Sequence, residues 1–494
     1  MKRRVISVFI CIMLLFSGCT GKGYGPGSDG GPEFSSLHPM PELTYEVPVS
    51  MPNILINQIG YTPSGEKTVI FRGARLPDSF EIIDEETGET VYNGTVRQKP
   101  EADGSLMGYG DFTDLTEQGT YYVRGGILGR SYNFALSDAV YDELFPASLA
   151  LLKRRQEKKI NVILSAGTNE TEEKILQGGW FTDSFDNQNV KTACEAVMVL
   201  LTAYELYPSA FLSESDSAAK EPEILKLIRS QMEWLMLLQE EKSGGVYGGI
   251  RADTQKNPAV YQMEPVSLEA SAGFAAAMAK FSYIYQSFDQ QFAAECLKAA
   301  DLAWKYIDRQ PDAPEETEVI AGILFSAAAE LYRASGRQAY HTKLRSFLEK
   351  GVDPGNVTWD TFGVFTYLST RKPVNKEYCG VIMKQLMNYA EEVSLRAREG
   401  AYFTEGNKNL DNTKDLLWNM VILSIADYVI TNHEYDTVIE NHLHYFLGCN
   451  PQAVCFLDAK GSDRLWKEGG ALQEDLLSGS CYICMLSHIL KEDT

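Results

Sequence analysis

The sequence predicts a two-part fold, a β-sandwich followed by an all-α domain of paired helices. Between Ile54 and Ser137, short β-branched and aromatic runs recur between Gly-, Pro- and Ser-containing turns. From Val140 onward the apolar residues switch to helical spacing, in about twelve segments joined by Gly- and Pro-containing loops. At 494 residues the chain is also too long for one ordinary core.

The strand candidates are Ile54-Leu-Ile, Thr68-Val-Ile-Phe, Phe80-Glu-Ile-Ile, Glu89-Thr-Val-Tyr, Gly119-Thr-Tyr-Tyr-Val and Tyr132-Asn-Phe-Ala. Turn clusters such as Pro63-Ser-Gly and Glu86-Thr-Gly separate them, and strands at this spacing make a sandwich over residues 51–137. The helical segments run from Tyr141–Arg155 to Leu472–Lys491 and fill residues 138–494. Runs of small residues, Ala270 to Ala279 and Ala327 to Ala329, suit close helix packing. Twelve helices suggest six hairpins closed into an α/α toroid, although helical counting does not separate a closed ring from an open solenoid.

The N-terminus carries a different signal. Met1-Lys2-Arg3-Arg4 is positive, Val5 to Phe16 is apolar, and Ser17-Gly18-Cys19 follows. This is the pattern of a signal peptide over residues 1–18, and its apolar run is too short to span a bilayer. Leu15-Phe16-Ser17-Gly18-Cys19 resembles a bacterial lipobox, which implies cleavage before Cys19 and a lipid on its thiol. Residues 19–50 are rich in Gly, Pro and Ser and read as a flexible tether. The expectation is an exported protein, lipid-anchored and outward-facing.

Charge narrows the function classes. The formal charge is −22, and losing residues 1–18 removes three positive and no negative charges, which takes it to −25. A basic nucleic-acid footprint is therefore absent. Nine cysteines stand at 11, 19, 194, 296, 379, 449, 455, 481 and 484. Beyond the first two they are seven, scattered, and not a disulfide framework. Cys481-Tyr-Ile-Cys484 sits in an apolar helical pattern and reads as packing. No HExxH, P-loop, GxSxG or dinucleotide fingerprint occurs.

Several segments together point to a family. Asn53-Ile-Leu-Ile-Asn-Gln-Ile-Gly-Tyr-Thr-Pro and Asp111-Phe-Thr-Asp-Leu-Thr-Glu-Gln-Gly-Thr-Tyr-Tyr-Val resemble strands of the immunoglobulin-like domain that precedes many family 9 glycoside hydrolases. Gly178-Gly-Trp-Phe, Leu200-Leu-Thr-Ala-Tyr-Glu-Leu-Tyr-Pro, Pro265-Val-Ser-Leu-Glu-Ala-Ser and Tyr445-Phe-Leu-Gly-Cys-Asn-Pro-Gln resemble segments of its catalytic domain, in order. The resemblance implies an Ig-like sandwich, an (α/α)6 barrel and glycoside hydrolysis with inversion. Such chemistry needs a protonated acid for the leaving oxygen and a carboxylate base for water, about 6.5–9.5 Å apart.

Site residues follow by position. Gln473-Glu474 occupies the place of the family's Asn-Glu at the head of the last helix, which implies Glu474 as the acid, with Asp475 as a weaker rival. For the base two overlays stay open. An ungapped overlay puts Thr182 and Phe185 on the family's two Asp positions and abolishes the base. A one-residue shift restores the spacing as Asp183-Ser-Phe-Asp186, with Asp186 as the base and Asp183 its partner. Trp180, Trp466, Arg464 and Tyr261 are candidates for contact with sugar, because sugar rings stack on aromatic faces.

The family's His-rich segment between Asn-Pro and the catalytic Glu is missing here, since residues 452–473 contain no His. That loss implies fewer or different sugar subsites. The expected substrate is a β-linked glucan or a short β-linked oligosaccharide, amino sugars included. No cofactor or metal is needed for the chemistry, and the structural calcium or zinc of some family members has no assignable site. The rival readings are a catalytically inactive carbohydrate-binding surface lipoprotein and a structural protein whose toroid binds another protein. A cleft lined by aromatics and carboxylates would favour the sugar readings, and a filled barrel mouth the last one.

Overall fold

In the N-terminal strands both faces of the period-two pattern are used. The computed structural model describes residues 52–100, 106–156, 159–165, 171–212, 220–253, 260–310, 318–355, 358–406, 410–431, 433–456 and 475–491. The expected signal and tether, Cys19, Arg464, Trp466 and Glu474 lie outside them. One sheet has the order β1 (Ile54–Leu55), β3 (Thr68–Phe71), β7 (Leu106–Asp111), β6 (Arg97–Pro100). The other runs β2 (Gly60–Tyr61), β9 (Arg130–Leu136), β8 (Gly119–Arg124), β4 (Ser79–Asp84), β5 (Thr90–Thr95). Ile54, Val69 and Phe71 meet Phe80, Ile82, Val123 and Phe134 in the core between the sheets. The alternate residues Leu55, Ile70 and Met107 point the other way and join the core of the helical domain. Alternation thus builds a sandwich and docks it in one stroke.

Twelve α-helices follow among the described residues. The outer ones are α1 (Leu144–Arg154), α3 (Glu223–Met236), α5 (Gln290–Asp308), α7 (Gln338–Lys350), α9 (Lys376–Glu399) and α11 (Asp436–Phe446). The inner ones are α2 (Val190–Leu206), α4 (Leu268–Tyr285), α6 (Glu318–Ser335), α8 (Thr358–Ser369), α10 (Thr413–Ile430) and α12 (Leu476–Ile489). Outer helices bury one stripe, as α5 does with Phe292, Cys296, Ala299, Ala300, Ala303, Trp304 and Ile307. Inner helices are buried almost all round, and their Ala-rich stretches let the backbones approach closely. The inner ring packs α12 on α2, α2 on α4, α4 on α6, α6 on α8 and α10 on α12. Phe362 against Trp418 (5.5 Å) and Phe365 against Tyr428 (6.3 Å) span the remaining seam, α8 to α10. The ring is closed, which settles toroid against solenoid.

A third sheet, which sequence periodicity does not announce, lies among the first helices. It runs β11 (Thr171–Gln177), β10 (Lys159–Ser165), β15 (Val260–Met263), β14 (Gly249–Asp253), β12 (Gln188–Asn189). Strand β12 passes directly into α2, whose first turn is capped by the Asn189 side chain accepting from Thr192 N–H (2.9 Å). The short strand β16 (Val266–Ser267) likewise enters α4, with Ser267 Oγ accepting from Ala270 N–H (3.0 Å).

Candidate active site

First turns of four inner helices gather at one end of the barrel, and a cavity of about 610 Å³ opens between them. Its walls come from α2 (Lys191, Thr192, Glu195), α8 (Thr358), α10 (Lys414, Trp418, Asn419) and α12 (Leu477, Cys481). Tyr389 of α9 lines it and also a second cavity of about 550 Å³ beside it, against Asp360 and Glu318. Among the described residues the barrel mouth is therefore an open groove with aromatic and carboxylate walls.

The segment that leads into α2 forms the near rim. Gly178 and Gly179 both have left-handed φ (+85° and +83°), and a Cβ on Gly179 would lie 2.3 Å from the Trp234 ring. Only glycine fits there. The Trp180 side chain is fully buried and its backbone N–H donates to Gln231 Oε1 (2.9 Å). Trp180 thus belongs to the core, and the expectation that it stacks on sugar is corrected: its ring has no face left for a ligand.

Asp183 closes a tight turn. Its Oδ1 accepts from the Phe185 and Asn187 N–H groups (2.9 and 3.2 Å) and its Oδ2 from Asn187 Nδ2 (2.9 Å). Asp186 sits at the outer corner with left-handed φ (+61°), its Oδ2 3.5 Å from the buried Tyr261 hydroxyl. Tyr261 is 5% exposed and serves as a wall for this loop. The ungapped overlay positions fare differently: Thr182 is buried and bonded within the loop, while Phe185 is 66% exposed. Neither Asp183 nor Asp186 is among the residues that line the 610 Å³ cavity.

The two regions singled out in the sequence do meet. Leu476 N–H at the head of α12 donates to Thr182 O (3.4 Å). Arg155 bridges them electrostatically. Burial lowers its pKa, and the charges of Asp475 and Asp183 pull it back up. Asp475, the rival acid, is the N-cap of α12: its Oδ2 accepts from Ser478 N–H (3.0 Å) and Ser478 Oγ (2.6 Å). A carboxyl engaged in a helix cap has a structural role at the head of α12. Glu474 immediately precedes this cap in sequence.

One functional candidate escapes sequence reasoning. Glu195, on the second turn of α2, is 8% exposed and lines the cavity. Burial raises its pKa, with Asp475 adding, while Lys191, Lys414 and the Trp359 indole pull the other way. No spacing rule marks a Glu within an apolar helix as a site residue.

Metal sites are the remaining question. Among the described residues, Asp427, His433 and Asp436 are the one cluster with ligand spacing. Lys491 Nζ already lies 2.7 Å from Asp436 Oδ1 and 3.7 Å from Asp427 Oδ2, and His488 Nε2 is 2.6 Å from the same Asp436 oxygen. Lys491 and His488 thus already occupy carboxylate oxygens of this cluster, in competition with any cation.

The family model for glycosyl hydrolase family 9 matches residues 133–463, and that for the cellulase N-terminal Ig-like domain matches residues 49–129. The chain belongs to glycosyl hydrolase family 9. It is an O-glycosyl hydrolase with the family's Ig-like domain and (α/α)6 barrel. Among curated relatives of family 9, a xyloglucan-specific endo-β-1,4-glucanase of Bacteroides ovatus is 23% identical, the match covering 83% of this chain and 81% of that protein. A cellodextrinase of Butyrivibrio fibrisolvens is 24% identical, with 83% and 85% covered. A metagenome-derived family 9 endoglucanase structure shares the fold with TM-score 0.75 at 20% identity, over 89% of this chain and 99% of that one. A structure in complex with cellobiose-like isofagomine gives TM-score 0.73 at 19% identity, over 89% and 99%.

Proposed function

We propose that this family 9 hydrolase cleaves β-1,4-linked glucan or its short oligosaccharides with inversion. The observation that carries the reading is the open groove at the N-terminal end of the inner helices, where the Asp loop contacts the head of α12. The acid of this reading is Glu474, placed by sequence next to the Asp475 cap, and the water is held by a carboxylate on the other side of the groove. Relatives described as a β-1,4-glucanase and a cellodextrinase support the substrate class. The absent His-rich segment supports short or soluble chains over crystalline cellulose. From the N-terminal pattern, the reading includes export and a lipid anchor at Cys19.

The test uses residues 20–494 on a panel of β-linked oligosaccharides, amino sugars included, with proton NMR of the fresh product. Release of an α-configured reducing end by the wild type, and its loss in Glu474→Gln, is the expected result. Binding without any release would instead leave a glycan-holding protein.

A further inference from the structure

We propose that Glu195, rather than Asp183 or Asp186, is the carboxylate that takes the proton of the attacking water. The inference rests on the hydrolase reading above. Three observations carry it. Asp183 commits both carboxylate oxygens to three donors of its own turn. Asp186 stands at the loop corner beside Tyr261 and outside the cavity lining. Glu195 does line the cavity, although it is more than nine-tenths buried.

Its surroundings are unlike those of a structural carboxylate. In the same barrel Glu330, wholly buried, is paired with Lys280 (3.4 Å) and Arg333 (2.6 Å). That is the ordinary condition of a buried charge. Glu195 has no such ion pair among the described residues. Lys414 leans instead to Asp475 (3.9 Å), and the Trp359 indole lies beside the carboxyl without a well-formed hydrogen bond. What remains open to Glu195 is the cavity. Across it stand Leu477 and Cys481 of α12, in the first two turns after the Asp475 cap. A carboxyl that opens on the groove, facing the helix that follows Glu474 in sequence, can hold a water within the groove, as an inverting base does. The upward pull of burial, checked by Lys191 and Lys414, also brings it nearer the working pH of a general base.

The step balances simply. Water's oxygen attacks the anomeric carbon as Glu195 removes one of its protons. The bond from that carbon to the leaving oxygen breaks, and the leaving oxygen takes its proton from the acid. A β-linked substrate then yields an α-configured hemiacetal.

Five variants test this beside the wild type. Glu195→Gln keeps the side-chain volume and should lower kcat by about 10²–10⁴-fold, the usual contribution of a general base, with KM changed little. Glu195→Ala should be inactive until sodium azide is added, then turn over and release an α-glycosyl azide, because a small anion in the vacated space needs no base. Azide rescue also shows that the variant is folded. Asp186→Asn should lower kcat far less than Glu195→Gln does, and Glu474→Gln should not be rescued. Full activity in Glu195→Gln, or azide rescue of Asp186→Ala in place of Glu195→Ala, overturns the assignment while leaving the hydrolase standing. A wild type that releases nothing from any substrate overturns both.

Discussion

Two left-handed glycines, Gly178 and Gly179, let the chain turn beneath Trp234, and Trp180 plugs the space that the turn creates. The segment is architecture rather than a sugar platform. Trp180→Ala should therefore cost about 3–5 kcal/mol of stability, the usual effect of truncating a buried Trp. The check is urea unfolding of residues 20–494, with KM measured below the transition. A change in KM alone, without loss of stability, would return Trp180 to the sugar site. Asp475 makes the same distinction, since its carboxyl is engaged by Ser478 at the head of a helix. Cys481 and Cys484, whose spacing in an apolar helix reads as packing, are free and buried.

At the scale of elements, the inner helices are held together by more than small residues. Lys280 of α4 lies between Glu205 of α2 (2.9 Å) and Glu330 of α6 (3.4 Å), and Arg333 closes the network from the next turn of α6. Thr366 of α8 donates to Glu330 (2.6 Å), so four successive inner helices share one polar knot. The groups are matched, two cations to two carboxylates, and each is largely buried. Lys280→Met should destabilise the barrel by about 3–5 kcal/mol, because it strands buried carboxylates. Chemical denaturation followed by far-ultraviolet circular dichroism reads this directly. A neutral outcome would mean that packing alone aligns the inner ring. Helix existence is legible from periodicity, but this network is not. Lys280 stands 75 residues from Glu205 and 50 from Glu330, and no local pattern relates them.

For the whole molecule, the joint between sandwich and barrel is the feature with consequences. Asn57 Nδ2 meets Tyr141 Oη (3.2 Å) and His444 Nδ1 (3.0 Å), Gln58 Nε2 donates to Ala453 O (2.7 Å), and Arg72 reaches Pro451 O. Gly65 lets the sandwich approach closely, for a Cβ there would lie 2.3 Å from Glu440 Oε1. Burial in this joint pushes the Glu440 carboxyl from 4.5 up to about 7, with Glu66 and Asp436 adding and Lys67 and the Glu66 N–H opposing. A raised carboxyl means that the folded state binds the proton more tightly than the unfolded one. The contribution is thus fully present below about pH 4.5 and is lost as pH rises through about 7. Each pH unit across that window corresponds to roughly 1.4 kcal/mol, so Glu440→Gln should gain on the wild type by up to about 3 kcal/mol between about pH 4.5 and about pH 8. Thermal melts of both proteins at the two pH values decide it, and parallel profiles would refute the coupling.

Local pattern by itself determined the two-part architecture, the alternating strands and the twelve helices, because backbone periodicity and side-chain polarity are written over a few residues at a time. It also led to the family and to the two stretches, residues 182–187 and the head of α12, that the fold brings into contact. Tertiary structure alone decided that the ring closes, through aromatic pairs between α8 and α10, and that a sheet assembles from strands nearly a hundred residues apart. It also decided which acidic side chains are free to act. Asp183 and Glu195 look alike in sequence, each an acid near the start of α2. One is consumed by the donors of its own turn and the other faces an open cavity, and that difference is set by neighbours contributed from α8, α10 and α12.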